Sequence, residues 1–128
     1  MGQPAAKQGD LVTATDTHLI QPPGPSPPVL VPHPFVGILD TSLSTDVNIM
    51  GMPAAVVGSI ATNNPPHVPI GGTFVVPPKN QGKVILGSVT VFINGKQAAR
   101  SGDIVLTCND PADLPVGAIQ AVGTVFIG

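Results

Sequence analysis

Three histidines and one cysteine are the side chains of this 128-residue chain best suited to holding a soft or borderline metal ion. His33 and His67 each stand four residues before a glycine. His18 and Cys108 form a second pair, because each follows a short apolar stretch that itself follows a glycine turn. Four such ligands meeting at one point would form the closed tetrahedral shell typical of a structural zinc ion, with no position left open for catalysis.

An internal repeat accounts for where these four residues stand. A block of the type Pro-Ala-Ala-x-x-Gly-Asp occurs three times in related form, at residues 4–10, 53–59 and 97–103. Each block places a glycine at the same offset and leads into an apolar stretch, a pattern that predicts a turn followed by a strand. The candidate ligands lie in the segments after these blocks. Equivalent segments of a threefold ring converge on its axis, so the sequence predicts that the ligands meet there.

A second repeated element indicates how the ring closes. Residues 45–52 and 89–96 precede the second and third blocks and alternate like strands, and the latter stretch contains Asn94-Gly95, a strong hairpin signal. The matching stretch for the first block stands at the other end of the chain. Residues 122–128 are therefore expected to form a terminal strand that closes against the N-terminal turn.

Composition favours the same architecture. The chain has 15 glycines, 16 prolines and no glutamate, which leaves few windows of helical length. Hydrophobic residues, rich in Val and Ile, make up 42% of the chain and charged residues only 9%, which favours short strands over disorder. We therefore predict an all-β fold with almost no helix. It forms a single domain, residues 1–128, with three pseudo-threefold repeats at roughly 1–43, 44–87 and 88–128.

Other interpretations of the candidate ligands stay open at this point. No zinc-finger spacing links the histidines and the cysteine, so they could be unrelated loop and core residues. Asp113 stands in the third repeat where His33 and His67 stand in the others, and is the reserve ligand. Asp16, Asp110 and Asp113 are near the candidate ligands in the sequence. A carboxylate base beside an open metal position would suit a small zinc hydrolase.

Composition and missing motifs argue against several classes of protein. The net charge is −2 and the five basic residues are dispersed, so no nucleic-acid binding surface is expected. There is no Gly-x-Ser-x-Gly elbow, phosphate-binding loop or His-Glu-x-x-His motif, and we expect no enzyme. The single cysteine excludes an internal disulfide. No apolar signal segment is present, and no apolar run approaches the roughly 18–20 residues needed to span a bilayer, so any export would use another route.

The repeated blocks resemble the proline-alanine-alanine-arginine (PAAR) repeat family, most clearly at residues 94–103, Asn-Gly-Lys-Gln-Ala-Ala-Arg-Ser-Gly-Asp. The resemblance covers essentially the whole chain, which would then be a single PAAR-like domain. The sequence departs from the family motif at Lys7, Val56 and Gln97, and in a long proline-rich insertion after His18.

The resemblance implies a shape, a metal site and a partner. Members of the family form a short conical β-structure whose apex holds a zinc ion bound by three histidines and one cysteine. Carried over, the resemblance implies His18, His33, His67 and Cys108 as the ligands of one structural zinc ion, with iron as the alternative metal. The blunt base of such a cone seats on a trimeric spike protein, with one tip for each trimer.

The implied setting is a contractile injection machine: a type VI secretion system, an extracellular contractile particle or a contractile phage tail. The protein would be cytoplasmic before assembly, then part of the particle and delivered outside the cell or into the target, with transient contact with the target membrane. Effector cargo is a further partner that the family allows, and nucleic acid is not expected. A small zinc hydrolase and a surface-binding adhesin module are the competing functions; an adhesin would bind its target without any spike trimer.

Overall fold

A computed structural model describes residues 2–128, and within that range the chain is built from β-strands, turns and loops without a helix. It follows that these residues contain no helix long and apolar enough to cross a membrane. The strands, in chain order, are β1 (Gln3–Pro4), β2 (Leu11–Gln21), β3 (Val29–Thr41), β4 (Asn48–Ile49), β5 (Met52–Pro53), β6 (Ile60–Asn63), β7 (Thr73–Phe74), β8 (Gln81–Val84), β9 (Phe92–Ile93), β10 (Lys96–Gln97), β11 (Ile104–Thr107), β12 (Leu114–Gln120) and β13 (Phe126–Ile127). The predicted all-β fold is confirmed.

Six of the strands close into an antiparallel barrel. The order around the barrel is β2, β3, β6, β8, β11 and β12, and β12 pairs again with β2. The hairpin of β2 and β3 is the longest element, because its register runs from Leu11 opposite Ile38 to Ile20 opposite Val29. It projects beyond the shorter barrel strands, and β7 pairs with its far end, where Phe74 lies opposite Ile20. We call this end of the molecule the apex and the opposite end the base.

The three repeats meet in a ring of backbone hydrogen bonds. The N–H of Ala6 donates to the carbonyl of Ala99, that of Ala99 to Ala55, and that of Ala55 to Ala6, each at 3.0 Å. All three alanines are fully buried. The turn that follows each alanine makes one equivalent bond from its glycine N–H to a carbonyl of the barrel: Gly9 to Leu39, Gly58 to Val84 and Gly102 to Ile119. The backbone therefore has the pseudo-threefold symmetry that the repeated blocks predicted.

The base carries three short hairpins that are related by the same symmetry. They are β4 with β5, β9 with β10, and β13 with β1. The second hairpin turns through Asn94 (φ 53°) and Gly95 (φ 77°), which confirms the hairpin that the sequence predicted there. In the third hairpin the two strands come from the two ends of the chain, and Gln3 lies opposite Ile127.

Two apolar clusters fill the molecule. The larger lies inside the barrel and has Phe35 as its largest fully buried side chain. The smaller lies between the base hairpins, where the equivalent residues Ile49, Ile93 and Ile127 are 6–8% exposed. Towards the apex, buried polar side chains take the place of apolar ones. These polar side chains form the candidate metal centre.

Candidate metal centre

Four side chains that can bind a metal are buried together where the long hairpin rises above the barrel. Asp16 and His18 are two residues apart on β2, so both point to the same face of the strand. Cys108 follows the end of β11, and His67 lies in the loop after β6. One potential ligand atom from each residue lies within 4.8 Å of the ligand atom of every other. We call these four residues the apical group.

The separations within the apical group suit a single metal ion. Asp16 Oδ2 lies 2.9 Å from His67 Nε2 and 3.4 Å from Cys108 Sγ. Cys108 Sγ lies 3.9 Å from His18 Nε2. Zinc bonds of about 2.0–2.3 Å place tetrahedral ligands about 3.3–3.8 Å apart, so small shifts bring all four donors onto one ion. Imidazole, thiolate and carboxylate donors suit zinc and also iron.

The second oxygen of Asp16 is held by its neighbours. Oδ1 accepts a hydrogen bond from Thr107 Oγ1 at 2.5 Å and a longer one from Asn109 Nδ2 at 3.4 Å. Asp16 and Thr107 are fully buried, and Asn109 is nearly so. The carboxylate is therefore oriented with Oδ1 towards the hydroxyl and amide, and Oδ2 towards the centre of the apical group.

His33 lies beside the apical group and is not part of it. Its ring centroid is 5.6 Å from that of His18 and 5.7 Å from that of His67. Its Nδ1 lies 2.8 Å from the carbonyl oxygen of Val31, and its Nε2 accepts a hydrogen bond from the N–H of Ile70 at 3.2 Å. Three of the four sequence-predicted ligands thus meet, while the fourth is adjacent with both ring nitrogens engaged. The four-ligand set stays a prediction.

The two other carboxylates considered from the sequence lie outside the apical group. Asp113, the reserve ligand, forms an ion pair with Lys79 at 2.7 Å. Asp110 Oδ2 accepts a hydrogen bond from the N–H of Leu19 at 2.8 Å and lies 3.4 Å from Nδ1 of His18. Among residues 2–128, that buried nitrogen has no hydrogen-bond partner at normal distance, so Asp110 is its nearest polar neighbour. A carboxylate facing the second nitrogen of a histidine is a common means of orienting a metal-binding imidazole.

Burial shifts the pKa of two members of the apical group. Loss of water around the ring, reinforced by a neighbouring imidazole, lowers the pKa of His18, although Asp110 acts in the opposite direction. Burial, reinforced by the charge of Asp16, raises the pKa of the Cys108 thiol to about 11. Both shifts favour the uncharged forms. A bound dication would reverse the preference of the thiol, because a coordinating thiol is deprotonated.

Apolar side chains cover the apical side of the group. Phe74 packs edge-on against the ring of His18, with centroids 5.7 Å apart, and its centroid is 5.5 Å from that of His33. Ile20, opposite Phe74 on the neighbouring strand, is fully buried. Phe74 therefore covers His18 and His33 on the apical side, while a cleft lined by His18, Cys108 and Asp110 opens beside the apical group.

Asp16 is the member of the group that the sequence suggested only as a possible base. The spacing of Asp16 and His18 could have revealed this member, because residues two apart on a strand point to the same face. That face is buried only because β2 continues as far as Gln21 and remains paired with β3 across the proline-rich loop. The sequence showed a long proline-rich insertion there and did not predict such a long hairpin.

Comparison with protein-family models gives a match to the PAAR motif. The matched segments are residues 31–105 and 75–128, which include the second and third repeated blocks and the C-terminal strand. Together they cover well over half of the chain. None of the curated proteins matches the chain significantly.

Proposed function

This chain belongs to the PAAR motif family, and on that basis we propose that it is the tip that caps the trimeric central spike of a contractile injection machine. The observation that carries the proposal is the backbone ring of Ala6, Ala55 and Ala99. A monomer whose hydrogen bonds repeat around a pseudo-threefold axis can meet the three chains of a true trimer in nearly equivalent ways. One copy is then sufficient for each trimer.

The base has the character of a surface that seats on such a trimer. Its hairpins and the segments before them expose large apolar side chains: Met50 is 53% exposed, Phe92 57% and Phe126 59%. Val89 and Val122 are 77% and 76% exposed. Grouped exposed apolar side chains mark an interaction surface. The apex exposes others, among them Leu30 (57%) and Val68 (71%), but these do not repeat around the axis. Because the hairpins repeat around the axis, the partner best suited to them has threefold symmetry.

The apex has the character of a part that is pushed through an envelope. Residues 17–39 and 64–78, which build the projecting hairpin and the loop packed against it, contain no Asp, Glu, Lys or Arg. Moving such a surface into an apolar layer costs much less than moving charged side chains. A metal ion held by the apical group would join β2, the loop after β6 and the end of β11, and its binding free energy would add to the stability of the fold.

The proposal extends to the setting and the metal. The chain would assemble in the cytoplasm and travel with the particle to the outside or into the target cell, as part of a type VI system, an extracellular contractile particle or a phage tail. Zinc is the proposed metal and iron the alternative. The proposed role is structural, since protein side chains alone can fill the four positions of a tetrahedral site.

Co-expression with the candidate trimeric spike tests the proposal. We expect native mass spectrometry to find one copy of this chain for every three spike chains. Replacing Phe92 and Phe126 together by Asp should weaken the complex by about 30-fold or more, because exposed aromatic residues carry much of the binding energy of interfaces. Leu30→Asp, which changes an equally exposed apolar residue at the apex (57%), is the matched control and should leave binding unchanged.

Two results would contradict the tip proposal. A chain that remains free in the presence of every candidate spike, yet binds target cells alone, would support an adhesin. Loss of spike binding in Leu30→Asp, with the base variant unaffected, would place the contact at the wrong end of the molecule. Circular dichroism of both variants checks that the fold is retained.

A further inference from the structure

We propose that Asp16 is a direct metal ligand in this protein, so that the apical metal is bound by one carboxylate, two imidazoles and one thiolate, and that His33 positions a loop instead of binding the ion. This inference deepens the proposed function and rests on its metal site. It departs from the set of three histidines and one cysteine that the resemblance to the PAAR family implies.

One carboxylate oxygen of Asp16 lies among the other members of the apical group. Asp16 Oδ2 is 2.9 Å from His67 Nε2 and 3.4 Å from Cys108 Sγ. The second distance falls within the edges of a tetrahedron of ligands around zinc, about 3.3–3.8 Å, and the first is a hydrogen-bond distance that would lengthen by about 0.4 Å around an ion. A carboxylate that only oriented a ligand would face the far nitrogen of an imidazole. Asp16 instead lies within the group itself: Oδ2 faces Nε2 of His67 and also contacts Cys108 Sγ, so the carboxylate is in contact with two other members.

The other carboxylate oxygen of Asp16, Oδ1, is held by hydrogen bonds. Oδ1 of Asp16 is occupied by the hydroxyl of Thr107 and the amide of Asn109. These contacts fix the rotation of the carboxylate and leave Oδ2 to bind the ion through one oxygen. Hydrogen bonds of this kind hold metal-binding carboxylates in place.

Both ring nitrogens of His33 already have hydrogen-bond partners. Nδ1 donates to the carbonyl of Val31, and Nε2 accepts the N–H of Ile70. Binding a metal through Nε2 would require the hydrogen bond from the N–H of Ile70 to break. The bond as it stands ties the loop after β6 to β3. That is the loop on which His67 is placed.

The negative charge of Asp16 also favours a metal ion at this position. Asp16 is completely buried, and no Lys or Arg forms an ion pair with it among residues 2–128. A buried carboxylate is stable only with compensating charge and hydrogen bonds. A dication bound by one carboxylate and one thiolate makes a centre of zero net charge. A neutral centre suits side chains as deeply buried as the four of the apical group.

X-ray absorption at the zinc edge of the wild-type full chain tests the ligand set directly. We expect the outer-shell scattering of two imidazoles, together with one sulfur and one oxygen neighbour. Scattering from three imidazoles and no oxygen would overturn the proposal. So would a wild-type protein that takes up no metal from a zinc-containing medium.

Two near-isosteric variants provide an independent measurement, read by competition with a chelator. Asp16→Asn keeps an oxygen for Thr107 and puts an NH₂ group, which has no lone pair to give, towards the ion. We expect metal affinity to fall by about 100-fold or more, beyond the 10–100-fold typical of residues that only orient ligands. His33→Gln keeps an acceptor for the N–H of Ile70 and should change affinity by less than 10-fold. Asp113→Asn is the control for loss of a carboxylate outside the group.

The outcomes separate this inference from the proposed tip role. A larger loss in His33→Gln than in Asp16→Asn would overturn the ligand assignment. The base hairpins are at the other end of the barrel, so Asp16→Asn should still bind a spike trimer if the tip role is right. If Asp16→Asn fails to fold, the absorption spectrum of the wild type still decides the ligand set.

Discussion

Alanine is required at the axis because three backbone segments meet there. Each repeated block contains a pair of adjacent alanines whose side chains point to opposite sides, as neighbours in an extended chain do. Ala6, Ala55 and Ala99 contribute to the barrel cluster, whereas the alanine before each of them contributes to the cluster between the base hairpins. The pair therefore forms the boundary between two cores, with its backbone engaged in the ring of hydrogen bonds.

Enlarging one alanine of the ring tests this constraint. Ala55→Val adds two methyl groups where three chains are in contact, and we expect it to lower the free energy of unfolding by about 1–3 kcal/mol. Ala112→Val, at an exposed position, is the control and should change stability by less than about 0.5 kcal/mol. Urea unfolding followed by circular dichroism measures both. Equal effects would mean that the ring is not tightly packed.

At the scale of elements, each base hairpin has one face that packs in the smaller apolar cluster and one exposed face that is available to a partner. In the Val-Phe-Ile stretch at the C-terminus, Ile127 is 6% exposed and lies in the base cluster, while Phe126 is 59% exposed. The strand is also anchored by its backbone, since the N–H of Ala5 donates to the carbonyl of Val125 at 2.8 Å. Stability and spike binding should therefore be separable at adjacent residues.

Truncating these two neighbours one at a time makes that separation measurable. Ile127→Ala leaves a cavity in the smaller cluster and should lower the free energy of unfolding by about 2–5 kcal/mol. Phe126→Ala should leave stability within about 0.5 kcal/mol of the wild type and weaken spike binding, measured by titration calorimetry. If Phe126→Ala proves the more destabilising variant, this strand does not pack as described.

At the scale of the whole molecule, the apical group links elements that are far apart in sequence. It joins residues from β2, from the loop after β6 and from the end of β11, which are segments of all three repeats. The barrel beneath it contains few large side chains. A metal ion at this point would therefore stabilise the relative positions of the repeats, because binding energy available only to the folded state adds to its stability.

Removing the metal should thus affect the protein globally. We expect a chelator to lower the stability of the zinc-loaded protein by roughly 3 kcal/mol, the value for an ion present at about 100 times its dissociation constant. Cys108→Ser should unfold at a lower temperature than the wild type and show little further response to the chelator. Calorimetric melting curves with and without chelator measure this. A wild-type curve that is indifferent to the chelator would contradict a stabilising metal.

Most of the fold could be predicted from the sequence because local signals agreed with one another. The repeated turns, the Asn94-Gly95 hairpin and the scarcity of helix formers all depend on short-range stereochemistry. The pairing of the two chain ends in the third base hairpin could also be predicted, because the strand that the first repeat lacks is found at the C-terminus. The repeat also led to His18, His67 and Cys108 as candidate ligands, and the structure brings their side chains together; their binding of a metal stays a prediction.

The amino-acid sequence by itself determined the β-strand architecture, the threefold repetition and the types of ligand available, because these follow from local propensity and spacing. The tertiary structure alone decided which donors meet. His33 and Asp16 lie opposite each other in the register of β2 and β3, yet the carboxylate points into the apical group while the imidazole bonds to the loop backbone. That choice depends on Thr107, Asn109 and Ile70, which are distant in sequence and reach Asp16 and His33 only when the barrel closes.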